Sequence, residues 1–362
     1  MAKSIEIDRR KRLREEPHKG HNRWHPDIAP VIEAAPGEEV TLETRDANDL
    51  QINIKTTAKD LEKLERTVAH PLTGPVYVKG ARPGDLLEIE YLDIRPERYG
   101  WTRFAPGGGF LPDLFNYHFV AHWDITPEYA TSPQLPGVRI PNGAFMGTAG
   151  VAPSREQLQK WNLREQELLS RGGRVWPPDP AHAVPAGGRI AAEGLRTIPP
   201  RENCGNADVK QLTKGSKLFV PVAVDGALYS VGDGHYAQGD SECCGTAIEM
   251  GATAVVRFKI HAGVAREKKI IWPRFSHRGS VQGPETGTMG MPITADGRNE
   301  NCDLNLAARN AVLEMIKLLE ERGWTREQAY VLCSVAVDLR VSNVVDVPNV
   351  TVSALLPEAI FA

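Results

Sequence analysis

The chain has 362 residues, 41% of them hydrophobic and 25% charged, enough to bury an extensive core and too long for a small binding module. Its 43 Lys and Arg against 46 Asp and Glu leave a net charge of -3, so no overall field draws it to nucleic acid and a small neutral or polar ligand is the expected partner. No window approaches the roughly 18 consecutive apolar residues of a membrane span, so no membrane partner is expected either. Met1 leads through Ala2, Lys3 and Ser4 into the charged stretch Asp8 to Glu16 without an apolar run, and no secretory leader is expected. Five cysteines, an odd number spread over a long chain, do not make a disulfide framework, and a reducing cytoplasm is the expected compartment. In the basic run Arg9, Arg10, Lys11, Arg12 and Arg14 the acids Asp8, Glu15 and Glu16 interleave. That mixture fits a solvated arm or a subunit contact better than a polyanion site.

The 33 Gly and 27 Pro residues punctuate short apolar runs, which is the pattern of many short strands joined by turns. The turn Ala35 to Glu38 precedes Val40 and Leu42; the turn Arg82 to Asp85 precedes Leu87, Ile89 and Tyr91, with Glu88 and Glu90 on the opposite face. His118 and His122 flank an aromatic strand as core or rim groups. Ser154 with Gln157 forms a capping box ahead of Leu158, Trp161, Leu168 and Leu169, and Gly172 stops that helix. Between Arg174 and Arg201 the Pro-, Ala- and Gly-rich composition predicts a long irregular connection. A strand follows at Leu218 to Val222, where Pro221 marks an edge or a bulge, and Asp225-Gly226 supplies a tight hairpin turn before Leu228 to Val231. Asp303 or Asn305 starts a second helix with Ala308, Val312, Met315, Ile316 and Leu319 on one face, ending at Gly323; Thr325 with Gln328 caps a third, and Val345 to Leu356 reads as a strand. The expected fold is mainly β, a sandwich- or barrel-like body with a smaller α+β C-terminal portion. It divides into a β-rich unit (1–150), a helix with the Pro-rich connection (151–200) and a motif-bearing β unit that carries the α+β portion (201–362).

Ligand-type residues concentrate between Glu202 and Glu249, in Asn203 to Asp208, in Gly232 to His235 and in Gln238 to Gly245. Asp233 and His235 lie two apart, so an extended strand would point both to one face with backbones roughly 7 Å apart, close enough to share one ion. One imidazole with several carboxylates suits zinc, or calcium if more oxygens take part, and such an ion would bring a bound water to a pKa of about 7. The competing reading has Asp233 and Asp240 bonding the backbone of Gly-rich turns and His235 as a core histidine. Burying that many carboxylates without a cation is costly, which favours the first. Cys243-Cys244-Gly245 admits a thiolate nucleophile served by His235 and Glu242, although a buried free cysteine also serves as a small hydrophobe. Cys204 is a ligand or a packing group. Asn22 and His25 can be lent to a pocket rim by a loop packed through Trp24, His70 sits in a turn able to line the same pocket, and Asn206 joins them as a candidate substrate contact. His182, His261 and His277 have no partner pattern. Gly107 to Gly109 precede no helix and form no phosphate cradle. Serine-hydrolase, NTPase and dinucleotide motifs are absent.

The runs Pro199 to Gly215, Val231 to Glu242 and Cys244 to Glu249, with His21 to Pro26, His70 to Pro75 and Gly80 to Asp85, resemble the acetamidase/formamidase family over nearly the whole chain. Arg201 to Asn206 looks more like the formamidase branch, whereas Val281 to Asn301 and the helix after it look closer to the acetamidase side. The resemblance implies a predominantly β fold, a homo-oligomer and hydrolysis of a short aliphatic amide to carboxylate and ammonia. It places pocket and metal-site positions on Asp208, Asp233, His235, Asp240, Glu242 and Glu249. The resulting expectation is a metal-assisted amidase with Asp208, Asp233, His235 and Glu242 as ligands and Glu249 or Asp240 taking a proton from water. A Cys244-nucleophile amidase and a non-catalytic small-amide binding protein are its alternatives.

Overall fold

The structure, a computed structural model, describes residues 3–109, 116–134, 140–238, 242, 244–277, 284–324, 337–358 and 361. Among them, eighteen strands hydrogen-bond into one largely antiparallel sheet. The two turns read from the sequence form as expected. Glu38 N–H donates to the Ala35 carbonyl (3.1 Å) and Asp85 N–H to that of Arg82 (3.1 Å), with Gly37 at φ +89° and Gly84 at φ +93°, angles that Gly adopts without steric cost. They launch β1 (Glu39–Thr44) and, after β2 (Leu72–Val78), the long β3 (Leu86–Phe104). Along these strands Val40, Leu42, Leu87, Ile89 and Tyr91 alternate into the main core. Glu88, expected on the solvent face, is buried; it accepts from Lys217 Nζ (2.6 Å) and His261 Nε2 (2.7 Å), so its charge is matched.

After β4 (Phe119–Ile125) comes β5 (Phe145–Gly150), and the helix α1 (Arg155–Ser170) opens on the capping box: Ser154 Oγ accepts from Gln157 N–H (3.1 Å) while Gln157 Oε1 accepts from Ser154 N–H (2.9 Å). Two ion pairs clip α1 to the segment that enters the motif region. Arg201, fully buried, donates from Nε and Nη2 to Glu165 (2.6 and 2.9 Å), and Arg164 grips Glu202 (2.6 and 2.7 Å). Glu165→Ala is therefore expected to destabilise the protein by about 3–5 kcal/mol, read from denaturant unfolding, because it leaves the Arg201 guanidinium buried without its carboxylate.

The strand β6 (Cys204–Asn206) pairs with β5. Next, β7 (Lys217–Pro221) lies between β3 and β10 (Arg274–His277), so it is interior rather than an edge. Pro221 is tolerated because it is the last residue of the strand, beyond Phe219, where the β10 pairing stops. The expected hairpin from β7 into the following strand does not form. Both sides of β7 are already filled, and β8 (Tyr229–His235) pairs instead with β2 and β5 and, at its end, with β9 (Glu249–His261). β9 in turn pairs with both β1 and β3, so strands from either side of the Pro-rich connection share one core.

The C-terminal portion is α+β, as expected. After β11 (Glu285–Gly290), Asp303 caps α2 (Leu304–Glu321) by accepting from Leu306 N–H (3.0 Å), and Ala307, Ala311, Met315 and Leu319 pack on Val352, Ala354 and Leu356. The single strand read over 345–356 is in fact the loop 344–350 followed by β13 (Thr351–Pro357), preceded by β12 (Asp338–Asn343). The third helix cap, Thr325 with Gln328, lies outside the described residues. The arginines of the N-terminal basic run pair with the chain's own acids: Arg9 with Glu43 and Glu97, Arg10 with Asp8, Arg12 with Asp49 and Glu65, and Arg14 with Glu65. Among the described residues no helix is long and apolar enough to cross a membrane.

Candidate active site

The end of β8 lies where β5, β6 and β9 converge, and this junction brings the motif residues together. Gly232 and Gly234 let the strands close: a Cβ on Gly232 would stand 2.5 Å from the Pro71 carbonyl oxygen and one on Gly234 2.7 Å from Ala252 Cβ. Between them Asp233 takes φ +58°, and Asp208 (φ +48°) and Glu242 (φ +49°) also occupy the left-handed region. Three carboxylates held in a backbone conformation that side-chain-bearing residues avoid are a local strain of the kind retained where side chains must be aimed.

Asp208, Asp233, His235, Glu242 and Glu249 are all buried and all meet. His235 Nε2 stands 3.2 Å from Glu249 Oε2 and 3.5 Å from Asp233 Oδ1; its Nδ1 stands 3.9 Å from Asp208 Oδ1. The ring's protonation can be traced through Gln238. Gln238 Nε2 donates to the carbonyls of Asp208 (3.0 Å) and Ser342 (3.4 Å), so its Oε1 faces His235 Nδ1 at 3.0 Å and accepts from it. Nε2 then faces two carboxylate oxygens, and with no cation bound the raised pKa of His235 places a proton between them, in the position a cation would take. Nε2, Asp233 Oδ1, Glu249 Oε2 and Asp208 Oδ1 are buried atoms with no hydrogen-bond partner among the described residues. A set of acceptors that faces only itself is stable when a proton or a cation lies among them. Two groups have the spacing to hold a metal ion, Asp208/His235/Glu242 and Asp233/His235/Glu249, with the ligand atoms of each within 4.8 Å of one another.

Electrostatics follow the same crowding. Burial, and then Glu242 and Asp346, push the Asp208 carboxyl well above the usual range; burial and the neighbouring carboxylates do the same to Glu242, against the pull of His235. Burial also raises Asp233, but His70 and His235 beside it outweigh that and hold it low. Burial would lower His235, yet Glu249 and Asp233 raise it well above its ordinary value.

Above the cluster lies a cavity of about 150 Å³ whose walls include Trp101, Ala105, Ile198 and Val345. His70, Asn206 and Cys244, candidates from the sequence, line it too. Cys244 Sγ rests 3.4 Å from the Thr246 carbonyl oxygen, and burial raises its thiol, the opposite of what a thiolate nucleophile uses. Cys204 is a core residue, its thiol pushed up to about 12 by burial. Asn22 and His25 do not line the cavity. Asn22 Nδ2 donates to the carbonyls of His182 (2.9 Å) and Val68 (3.3 Å) and its Oδ1 accepts from Val184 N–H (2.7 Å); His25 Nδ1 accepts from Asp27 N–H (3.0 Å), leaving Nε2 to donate to Glu193 (3.1 Å). Both hold the connection around α1. Asp240 lies outside the described residues.

Several site residues carried no signal in the sequence reading. Asn343 Nδ2 donates to Asp208 Oδ2 (2.9 Å) and to Asp346, Asn206 Nδ2 donates to Asp346, and Thr148 Oγ1 bonds Asn206 and stands 3.2 Å from Asp233 Oδ2. Asn343 Oδ1 also accepts from the N–H groups of Val345 (2.7 Å) and Asp346 (3.1 Å), a side-chain turn that aims the loop 344–350 into the cluster. The available cue was the Asn, Asp and Pro spacing of that turn.

Buried acid–base groups with ion-binding spacing, beneath a cavity sized for a molecule of a few heavy atoms, are the equipment of a small-molecule hydrolase. The sequence profile of the acetamidase/formamidase family matches residues 6–362. The chain is 37% identical to an acetamidase of Mycolicibacterium smegmatis, over 90% of this chain and 87% of that one, and 34% identical to a formamidase of Methylophilus methylotrophus, over 100% and 94%. Its fold is similar to that of a gamma lactamase from Delftia acidovorans, with a TM-score of 0.73 and 36% identity over 99% of this chain and 93% of that one. The chain belongs to the acetamidase/formamidase family, and with it to the hydrolases that act on linear amide C–N bonds.

Proposed function

We propose that the protein cleaves formamide or acetamide to the carboxylate and ammonia with a divalent cation, zinc or calcium, held by Asp208, Asp233, His235 and Glu242. The observation that carries this reading is that His235 Nε2 faces buried oxygens of Asp233 and Glu249, with none of the three hydrogen-bonded among the described residues. When bound, such a cation polarises the amide carbonyl and acidifies water.

The chain's own groups supply the rest. Glu249 is anchored through Oε1, which accepts from Ala247 N–H (3.0 Å), while Oε2 has no hydrogen-bond partner among the described residues and can take a proton, and burial raises its pKa, which makes it a stronger base than an ordinary carboxylate. As water attacks and the C–O bond forms, its proton passes to Glu249 and then to the amide nitrogen, so that the C–N bond breaks with ammonia as leaving group. Asp240 is the second candidate for that proton transfer. Trp101, Ala105 and Ile198 limit the water around the substrate. The free thiols of Cys204, Cys244 and Cys302 accord with a reducing cytoplasm, and a homo-oligomer completes the reading.

Because Cys244 lines the same cavity, a thiolate mechanism is the second reading. Ammonia release from formamide and acetamide by the purified protein and by Cys244→Ala separates them. Turnover that survives in Cys244→Ala within about tenfold supports the water route, whereas loss of about 10³-fold or more assigns the nucleophile to sulfur. Amide binding without any ammonia release would leave a binding protein.

A further inference from the structure

The cavity wall also holds two arginines that the hydrolytic reading does not use, Arg103 and Arg66. Neither guanidinium makes a hydrogen bond or an ion pair among the described residues, and Arg103 Nε is buried without a partner. Other buried guanidiniums find acceptors: Arg201 is matched by Glu165, Arg164 by Glu202 and Arg274 by Glu314 and Glu321, while Arg23 and Arg196 donate to backbone carbonyls. The backbone that carries the Arg103 side chain is held on both sides. The Arg103 N–H donates to Thr246 Oγ1 (2.9 Å), Thr246 Oγ1 donates back to the Arg103 carbonyl (2.7 Å), and the guanidinium carbon lies 5.8 Å from the centre of the Trp101 ring. Arg66 is exposed, whereas the Arg103 guanidinium is disfavoured by burial and by Arg66 and attracted by Glu249, with which it makes no hydrogen bond. An anion between the two guanidiniums would give the buried Arg103 Nε–H an acceptor.

We infer that Arg103, with Arg66, forms a carboxylate-binding subsite in the wall of the cavity above the His235 cluster. This rests on the amidase reading of the same cavity, which supplies the ligand chemistry. Hydrolysis turns a neutral amide into a carboxylate in a chamber that also holds Asp208, Asp233, Glu242, Glu249 and Asp346, all of which repel it. A planar guanidinium fork matches a carboxylate in two hydrogen bonds. The anion comes from one of two sources: the carboxylate that the reaction creates, or a second carboxylate at the far end of a longer monoamide.

The test has a binding arm and a turnover arm. Trp101 and Trp176 line the cavity, so propionate is titrated against tryptophan fluorescence, with sodium chloride at equal ionic strength as control. Propionate is expected to bind where chloride does not, and Arg103→Gln is expected to weaken it by about tenfold or more, with partial recovery in Arg103→Lys. In the turnover arm, propionate inhibiting competitively against acetamide identifies the reaction's own carboxylate as the ligand. Succinamate cleaved with a higher kcat/KM than butyramide, an advantage lost in Arg103→Gln, identifies a remote carboxylate. Circular dichroism of each variant checks that it folds, and the wild-type titration stands without any variant. Turnover of neutral amides with no propionate response and no preference for succinamate overturns the subsite and leaves the amidase reading intact. Propionate binding without turnover of any amide does the reverse.

Discussion

Chelation of divalent cations is expected to abolish ammonia release, by about 10³-fold or more, since a Lewis-acid ion supplies several kcal/mol of transition-state stabilisation. Activity is expected to return on adding zinc or calcium in stoichiometric amount. The stripped protein should also become less stable as pH rises. Asp208, Glu242, Glu249 and Asp346 have pKa values raised in the folded state, first by burial. Their contribution is therefore complete below the usual carboxylate range and is lost as pH climbs through the raised values. His235, also raised, acts in the same direction at higher pH, and Asp233, held low by His70 and His235, loses its contribution only in strong acid. The thermal midpoint of the stripped protein should fall as pH rises above the usual carboxylate range, and a bound cation should reverse that fall, because it takes the place of the protons. Full activity in a rigorously metal-free sample, or the same pH dependence of the midpoint with and without metal, would overturn the metal assignment.

Gly147→Ala is expected to cost about 10²-fold or more in ammonia release while destabilising the fold by only about 1–3 kcal/mol. Gly147 is the β5 residue beneath the cluster. An added Cβ would stand 2.5 Å from Asp208 Oδ1, 2.7 Å from His235 Cε1 and 2.9 Å from Asp233 Oδ2, so three site groups would have to move at once. Gly143→Ala is the control: its Cβ would meet nothing nearer than the Tyr236 carbonyl oxygen at 4.0 Å, and it is expected to change stability by less than about 0.5 kcal/mol. Equal activity in the two variants would show that the relative placement of Asp208, Asp233 and His235 does not limit the reaction.

What could be read from the chain alone was what neighbouring residues decide among themselves. The turns before Val40 and Leu87 depend on four consecutive residues and the start of α1 on Ser154 and Gln157, and both form; Asp233 and His235, two apart, also meet, although a left-handed Asp233 and not plain strand alternation aims the carboxylate. The density of acids between Glu202 and Glu249 exposed the cluster, because burying so many carboxylates together is too costly without a purpose. The tertiary structure decided the rest. Which strand lies beside β8 depends on which edges of β7 are already filled, a matter of the whole sheet, so the expected hairpin gave way to pairings with β2 and β5. Asn343 and Asp346 reach Asp208 across some 135 residues of chain, and Gln238 sets the proton on His235 only because the Asp208 and Ser342 carbonyls orient its amide. Arg103 reads in the sequence as one arginine among many in a long strand; only packing shows that its buried Nε–H has no hydrogen-bond partner among the described residues. Turn geometry and strand alternation are short-range steric effects and leave a trace in adjacent residues, whereas hydrogen-bond satisfaction and charge pairing depend on distances in space and leave none.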